Sequence, residues 1–142
     1  MLRGIPGIIS PDLMKYMMEM GHSDVLVLAD ANFPAISNAK RYLKADGVEI
    51  PDLLDAILTY FPLDGYVKKP VKLMRNLPGE PLPEIWESYK SIIEKRDREQ
   101  AFKDFGLSDR LPFYEETRNA YLVVQTVTTA RYANISLQKG VI

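Results

Sequence analysis

An α/β fold, with three layers arranged α/β/α around a mixed sheet, is predicted by two features of this 142-residue sequence. Segments with helical and strand-like periodicity alternate along the whole chain. In addition, Val25-Leu26-Val27-Leu28-Ala29 is an apolar run without polar alternation, as expected of a strand covered on both faces. The stretch around it, Met20 to Pro34, holds the only histidine, His22, and places Asp30 where the strand runs out. In open α/β sheets, ligands sit beyond the carboxyl ends of strands, where Asp30 and Asn32 stand. His22 lies at the opposite end. At a strand rise of ~3.3 Å per residue, His22 and Asp30 are expected to lie roughly 20 Å or more apart within one subunit. They can share a small substrate only if the chain bends or a second subunit intervenes.

Taken in order, Ser10-Pro11-Asp12 starts the first helix. Serine caps free amides, proline suits the first turn, and aspartate faces the positive end of the dipole. Leu13, Met14, Met17 and Met18 recur at helical spacing and read as a core stripe rather than a plastic binding groove. Gly21 is placed to end this helix in the left-handed conformation. After the strand, residues 32–38 read as a loop, and 41–44 as a short strand ending at the Asp46-Gly47 turn. Pro51 opens a second helix with Leu53, Leu54, Ile57, Leu58 and Phe61 on its apolar face, and Pro62 and Asp64-Gly65 stop it. Residues 70–74 form a modest strand candidate, whereas 76–83 are too proline-rich for regular structure. A third helix runs from about Pro83, with Ile85, Trp86, Tyr89, Ile92 and Ile93 facing inward; Lys95 to Glu99 read as its solvated, mixed-charge face. Gly106 to Leu111 is a loop or short strand, and Pro112 starts a fourth helix through Ala120. Tyr121 to Val127 is a β-branched strand, 128–134 a connection, and Ile135 to Gln138 the last strand. With no internal repeat or linker, residues 1–142 are expected to form a single domain.

An apolar content of 46% suffices for a real core. Eighteen basic and nineteen acidic residues give a charge of −1, which speaks against nucleic acid and anionic membrane as partners. The absence of cysteine excludes disulfides and thiolate metal sites and suits a reducing cytoplasm. Residues 1–7 lack a signal-peptide pattern, and no segment approaches the ~20 apolar residues of a spanning helix. Asn134-Ile135-Ser136 matches a glycosylation sequon, which carries no meaning without secretion. With one histidine, a zinc site is not expected; the eight glycines are scattered rather than gathered into a phosphate loop, and no nucleophile elbow is present. Counting does not exclude a Ser-His-Asp triad. What the inventory favours is acid–base chemistry by His22 among carboxylates, tyrosines and arginines. On spacing alone, a lone histidine at a helix end reads as a cap or a solvent-facing residue.

Longer motifs change that reading. Gly21-His22-Ser23-Asp24, then Asp30-Ala31-Asn32-Phe33-Pro34-Ala35, resemble the N-terminal signature of the L-fucose mutarotase and D-ribose pyranase family. Asp46-Gly47, Asp52 to Ile57, Arg110-Leu111-Pro112-Phe113-Tyr114-Glu115, Arg131 to Ile135 and Lys139-Gly140-Val141 continue the resemblance in colinear order. The Asp-Ala-Asn-Phe-Pro form and Phe113-Tyr114-Glu115 resemble the fucose branch more than the ribose branch, whose additional histidines are absent. Ser23, Leu111-Pro112 and residues 95–109 depart from the pattern. The resemblance implies an α/β/α sandwich in a ring-like homo-oligomer, a decamer, with active sites between subunits. It implies cofactor-free interconversion of the α and β anomers of a free monosaccharide, L-fucose, with no metal. It assigns His22 as the catalytic acid/base and Asp30, Arg110, Tyr132, Ala133 and Asn134 as substrate-binding positions. A ribose pyranase, or a non-catalytic sugar-binding protein of the same fold, are the alternatives.

Overall fold

The computed structural model describes residues 1–142 and contains one six-stranded sheet and four α-helices. The strands are β1 (Val25–Ala29), β2 (Tyr42–Lys44), β3 (Val71–Met74), β4 (Gly106–Ser108), β5 (Leu122–Gln125) and β6 (Ile135–Gln138). Their order is β2-β5-β1-β6-β3-β4. β6 runs antiparallel to both neighbours, while β1 pairs parallel with β5, β5 with β2, and β3 with β4. The mixed sheet expected from the sequence is therefore five strands pointing one way and one pointing back.

The helices are α1 (Pro11–Glu19), α2 (Ile50–Leu58), α3 (Ile85–Arg96) and α4 (Arg110–Asn119). Strand side chains alternate between two cores, as the pleat requires. Leu26, Leu28, Leu122, Val124, Ile135 and Leu137 join α1, α2 and α3 in a cluster of 25 buried residues. On the opposite face, Val27, Ala29 and Val123 meet Phe113 of α4 and Phe33 in a cluster of 8. Both faces of β1 are thus covered, which is why its sequence carries no polar alternation. Leu13 and Met17 of the methionine stripe are buried in the larger core, while Met18 faces solvent.

Local chemistry sets the element ends. Ser10 caps α1, its hydroxyl oxygen accepting the Leu13 amide at 3.1 Å. Gly21 does not take the left-handed conformation; Ser23 does, at φ 70°. The turn is held from outside, because the Asp24 carboxylate accepts the Gly21 amide at 2.8 Å and the Lys139 carbonyl accepts the Ser23 amide at 2.9 Å. Helix α4 starts two residues before Pro112, whose missing amide costs nothing within the first turn. Residues 95–99 are not one solvated face. Arg96 forms a bidentate pair with Asp55 of α2, at 2.8 Å for both bonds, and the Asp97 carboxylate accepts the Phe102 amide at 2.7 Å.

This topology sorts the loops to two rims of the sheet. At one rim lie the segments after β1, β3 and β4 and before β6. At the other lie the segments before β1 and β3 and after β6.

Candidate active site

The first rim forms an open cleft of about 910 Å³, within the range of small-molecule sites, roughly 300–1,000 Å³. Asp30, Arg110, Tyr132 and Asn134 all line it. Asp30 and Asn134, 104 residues apart in sequence, grip each other reciprocally. The Asp30 amide donates to Asn134 Oδ1, and Asn134 Nδ2 donates to Asp30 Oδ2, both at 2.8 Å. Asp30 Oδ1 also accepts the Asn32 amide at 2.9 Å, closing the turn after β1. Asn134 is buried and committed to this pair, so the sequon at 134–136 offers no accessible acceptor. Carboxylate oxygens carry more lone-pair sites than these bonds use, which leaves Asp30 capacity for hydroxyl donors.

Three arginines border the cleft, and their partners differ. Arg75 donates to Asp109 at 2.9 Å, and Arg131 to Glu80 at 2.8 Å. Arg110 is exposed at the start of α4 and has no carboxylate partner; its Nε donates to the Tyr114 hydroxyl at 3.3 Å. Of the three guanidiniums, it is the one not engaged by a carboxylate. Tyr132 sits at φ 56°, a left-handed conformation held because Trp86 Nε1 donates to its carbonyl at 2.8 Å. Its hydroxyl donates to Glu80 and accepts the Leu77 amide at 3.3 Å. The Tyr132 hydroxyl, outweighing desolvation, and the Arg131 guanidinium hold Glu80 below the usual carboxylate range. Ala133 is fully buried, and its carbonyl accepts the Tyr89 hydroxyl at 2.6 Å. That group is therefore spoken for. Burial, with Asp30 and Glu49 nearby, pushes the Tyr89 phenol far above its ordinary value.

His22 is elsewhere. It stands at the opposite rim, before β1, and does not line the cleft. Its Nε2 lies 3.2 Å from Asp64 Oδ2, and its ring packs against Tyr66 with centroids 5.6 Å apart. Gln138, the last residue of β6, donates to the same Asp64 oxygen at 2.9 Å, and the Tyr66 amide donates to Oδ1 at 2.9 Å. Burial alone would raise the Asp64 pKa, but the hydrogen bonds from Tyr66, His22 and Gln138 hold it below the ordinary value. The sequence reading takes Asp64 only as a turn residue. Its partners lie up to 74 residues away, and no local spacing announces them. The contacts of Glu80 and Gln138 lack a local signal for the same reason. No group of three or more histidine, aspartate or glutamate side chains converges to hold a metal ion, and no helix is long and apolar enough to cross a membrane.

Residues 3–142 match the RbsD / FucU transport protein family. The chain belongs to that family. Fucose mutarotase from Bos taurus is 40% identical over 99% of this chain and 94% of its own length. The crystal structure of the fucose mutarotase from Streptococcus pneumoniae, in complex with L-fucose, superposes with a TM-score of 0.91 and 45% identity, covering 99% of both chains. Bacillus subtilis RbsD, complexed with D-ribose, superposes at 0.74 over 96% of this chain and 97% of its own, but at 20% identity it shares the fold alone. The α/β sandwich inferred from periodicity is that of this family.

Proposed function

We propose that this protein is an L-fucose mutarotase, interconverting the α and β anomers of the free sugar by acid/base-catalysed ring opening and closing. One observation carries the reading: four polar side chains, Asp30, Arg110, Tyr132 and Asn134, border one cleft in a chain 45% identical to a fucose mutarotase in complex with L-fucose. The 142 residues act as one mutarotase-like domain without a cofactor, and the lack of cysteine suits a cytoplasmic setting.

In this reading the Asp30 carboxylate accepts sugar hydroxyls, Arg110 donates to sugar oxygens, and Tyr132 offers its phenol and ring face. Asn134 holds Asp30 in place, and Ala133 contributes backbone beside it. His22 transfers the proton at the anomeric hydroxyl or the ring oxygen. Loss of the hydroxyl proton and protonation of the ring oxygen break the bond from the anomeric carbon to that oxygen. The open aldehyde rotates about C1–C2 and closes on its other face. No electron leaves the sugar, so neither an oxidant nor a leaving group is required.

His22 and the cleft lie at opposite ends of β1, so a complete site joins the His22 rim of one copy to the cleft of another. We assign a homo-oligomer, with a closed ring of ten subunits as the expected form. Saturation-transfer NMR on L-fucose and D-ribose tests the activity: accelerated anomer exchange for fucose and not ribose is expected, and fucose binding without exchange would make the protein a sugar carrier. Subunit mixing tests the shared site. His22→Ala and Asp30→Asn proteins, each impaired alone, should recover exchange when co-assembled, because some interfaces then join an intact His22 rim to an intact cleft. A fully active 16.2 kDa monomer in light scattering would refute sharing.

A further inference from the structure

We infer that Glu80 is a positioning residue for Tyr132: from behind the wall of the cleft it takes the phenol proton, so that Tyr132 meets the sugar as a hydrogen-bond acceptor. This rests on the reading of Tyr132 as a sugar contact. Glu80 does not line the cleft. It lines a second hollow of about 580 Å³, and the two hollows share Ala130, Arg131 and Tyr132 as the ridge between them. The Glu80 side chain, 27% exposed, therefore reaches Tyr132 from the far side of that ridge. Its two oxygens serve two donors: Oε1 accepts Arg131 Nη2 at 2.8 Å, and Oε2 accepts the Tyr132 hydroxyl. Those donors hold the carboxylate below its usual range and so keep it ionised at neutral pH. An ionised carboxylate can only accept, so the hydrogen between Oε2 and the phenol belongs to the phenol.

A phenol has one O–H and two lone pairs. With the O–H committed to Glu80, only the lone pairs remain for the cleft, and they are loosely used. The Leu77 amide donates to them at 3.3 Å and Arg131 Nη2 at 3.4 Å, beyond the roughly 2.7–3.2 Å of good N–H···O bonds. Leu77 and Arg131 both line the cleft, so a sugar hydroxyl arriving there can displace either contact. Both partners of the Glu80–Tyr132 bond are fixed in advance. Tyr132 is held at φ 56° through its carbonyl bond to Trp86. The Glu80 amide donates to the Leu77 carbonyl at 3.1 Å, its carbonyl accepts Asn76 Nδ2 at 3.0 Å, and Gly79 turns the chain at φ 85°. The proline-rich segment 76–83, without helix or strand, is thus wrapped around one carboxylate. Glutamine at this position has one acceptor oxygen for two donors. The charged guanidinium takes it, which turns the amide N–H groups toward the phenol oxygen and swings the phenol O–H into the cleft.

Calorimetry with analogues of L-fucose, each carrying fluorine in place of one hydroxyl, reads the direction of this bond, because fluorine cannot donate. In the wild-type protein, the analogue altered at the hydroxyl facing Tyr132 should bind about three- to tenfold more weakly than L-fucose. Tyr132→Phe should abolish that penalty and so identify the position. Glu80→Gln should shrink the same penalty to about twofold or less, while L-fucose, whose hydroxyl can also accept, binds within about threefold of wild type. A merely structural Glu80 predicts a uniform loss across fucose and all analogues, and that outcome overturns the proposal. Neutron diffraction of the deuterated wild-type protein should place a deuterium between Tyr132 Oη and Glu80 Oε2. A deuterium on Oη pointing into the cleft overturns the proposal whether or not Glu80→Gln folds. The two readings fail separately. A Tyr132→Phe protein that keeps every fluorine penalty removes Tyr132 from the sugar, whereas a penalty abolished by Tyr132→Phe and untouched by Glu80→Gln removes the Glu80 role alone.

Discussion

The two ends of β1 are built on different principles. Beyond Ala29, polar groups border a wide cleft: a carboxylate with spare acceptor capacity, an unpaired guanidinium and a phenol. None of these has an ordinary pKa near neutrality. Before Val25 there is no comparable hollow around His22, but there is the one imidazole of the chain, braced by a buried carboxylate. One end offers hydrogen-bonding groups around a hollow; the other offers the one imidazole without such a hollow. A small reaction can thus be divided between recognition and proton transfer on opposite rims of one rigid sheet, provided copies meet rim to rim.

The largest expected effect comes from deleting the base. His22→Ala should lower anomer exchange by ~10²–10⁴-fold, after subtraction of the spontaneous rate, with sugar affinity and assembly nearly unchanged. Near-wild-type exchange in a folded variant would erase the distinction between the two ends. Next comes the cleft. Asp30→Asn removes the charge behind hydrogen bonds that contribute about 1.5–3 kcal/mol each. L-Fucose affinity should fall roughly ten- to a hundredfold by calorimetry. Because Asp30 also closes a turn and grips Asn134, a modest loss in melting temperature should accompany it.

A third change strikes the His22 end through the backbone. A Cβ at Gly140 would lie 2.4 Å from the Leu63 carbonyl oxygen, and no flexible side chain can yield there. Gly140→Ala should cost about 1–3 kcal/mol in denaturant unfolding and depress exchange more than sugar binding. Equal losses of both would show that the two ends are not separable. The smallest effect is pH. Because the folded state holds Asp64 below its ordinary value of 3.8, its ionised form contributes stability that is fully present above 3.8. That stability is lost as pH falls through the depressed value. Asp64→Asn should therefore flatten the acid limb of the stability profile while lowering its plateau.

Much of the fold was legible in the sequence because the decisive signals were local. The run Val25–Ala29 named its own bounds and its two-sided burial, and Ser10-Pro11-Asp12 named the start of α1. Where a tertiary contact decides, the sequence misleads. Gly21 offered the cheaper left-handed residue, yet Ser23 takes that conformation where its amide meets the carbonyl of Lys139. Arg96 looked solvated until α2 supplied Asp55. The strand-end rule pointed to Asp30 at the cleft, but its partner Asn134 was legible only through resemblance, since the two are joined across 104 residues. Asp64 was not legible at all as more than a turn. The register of β6 brings Gln138 to it, and no periodicity encodes that encounter.

The antiparallel pairing of β1 with β6 has a metrical consequence. Val25 stands opposite Gln138, and Leu28 opposite Ile135, so one short ladder carries Asn134 just beyond one end and Gln138 at the other. In a rim-to-rim assembly this ladder is a measuring rod. The distance from each copy's recognition groups to its own base becomes the spacing between successive active sites, fixed by strand length rather than by surface fit. Lengthening β1 and β6 by one residue each would change that gauge by ~3.3 Å. It would also reverse the facing of every side chain beyond the insertion. In such an assembly the spacing between sites is set by the most invariant dimension in the molecule, the rise of a β-strand.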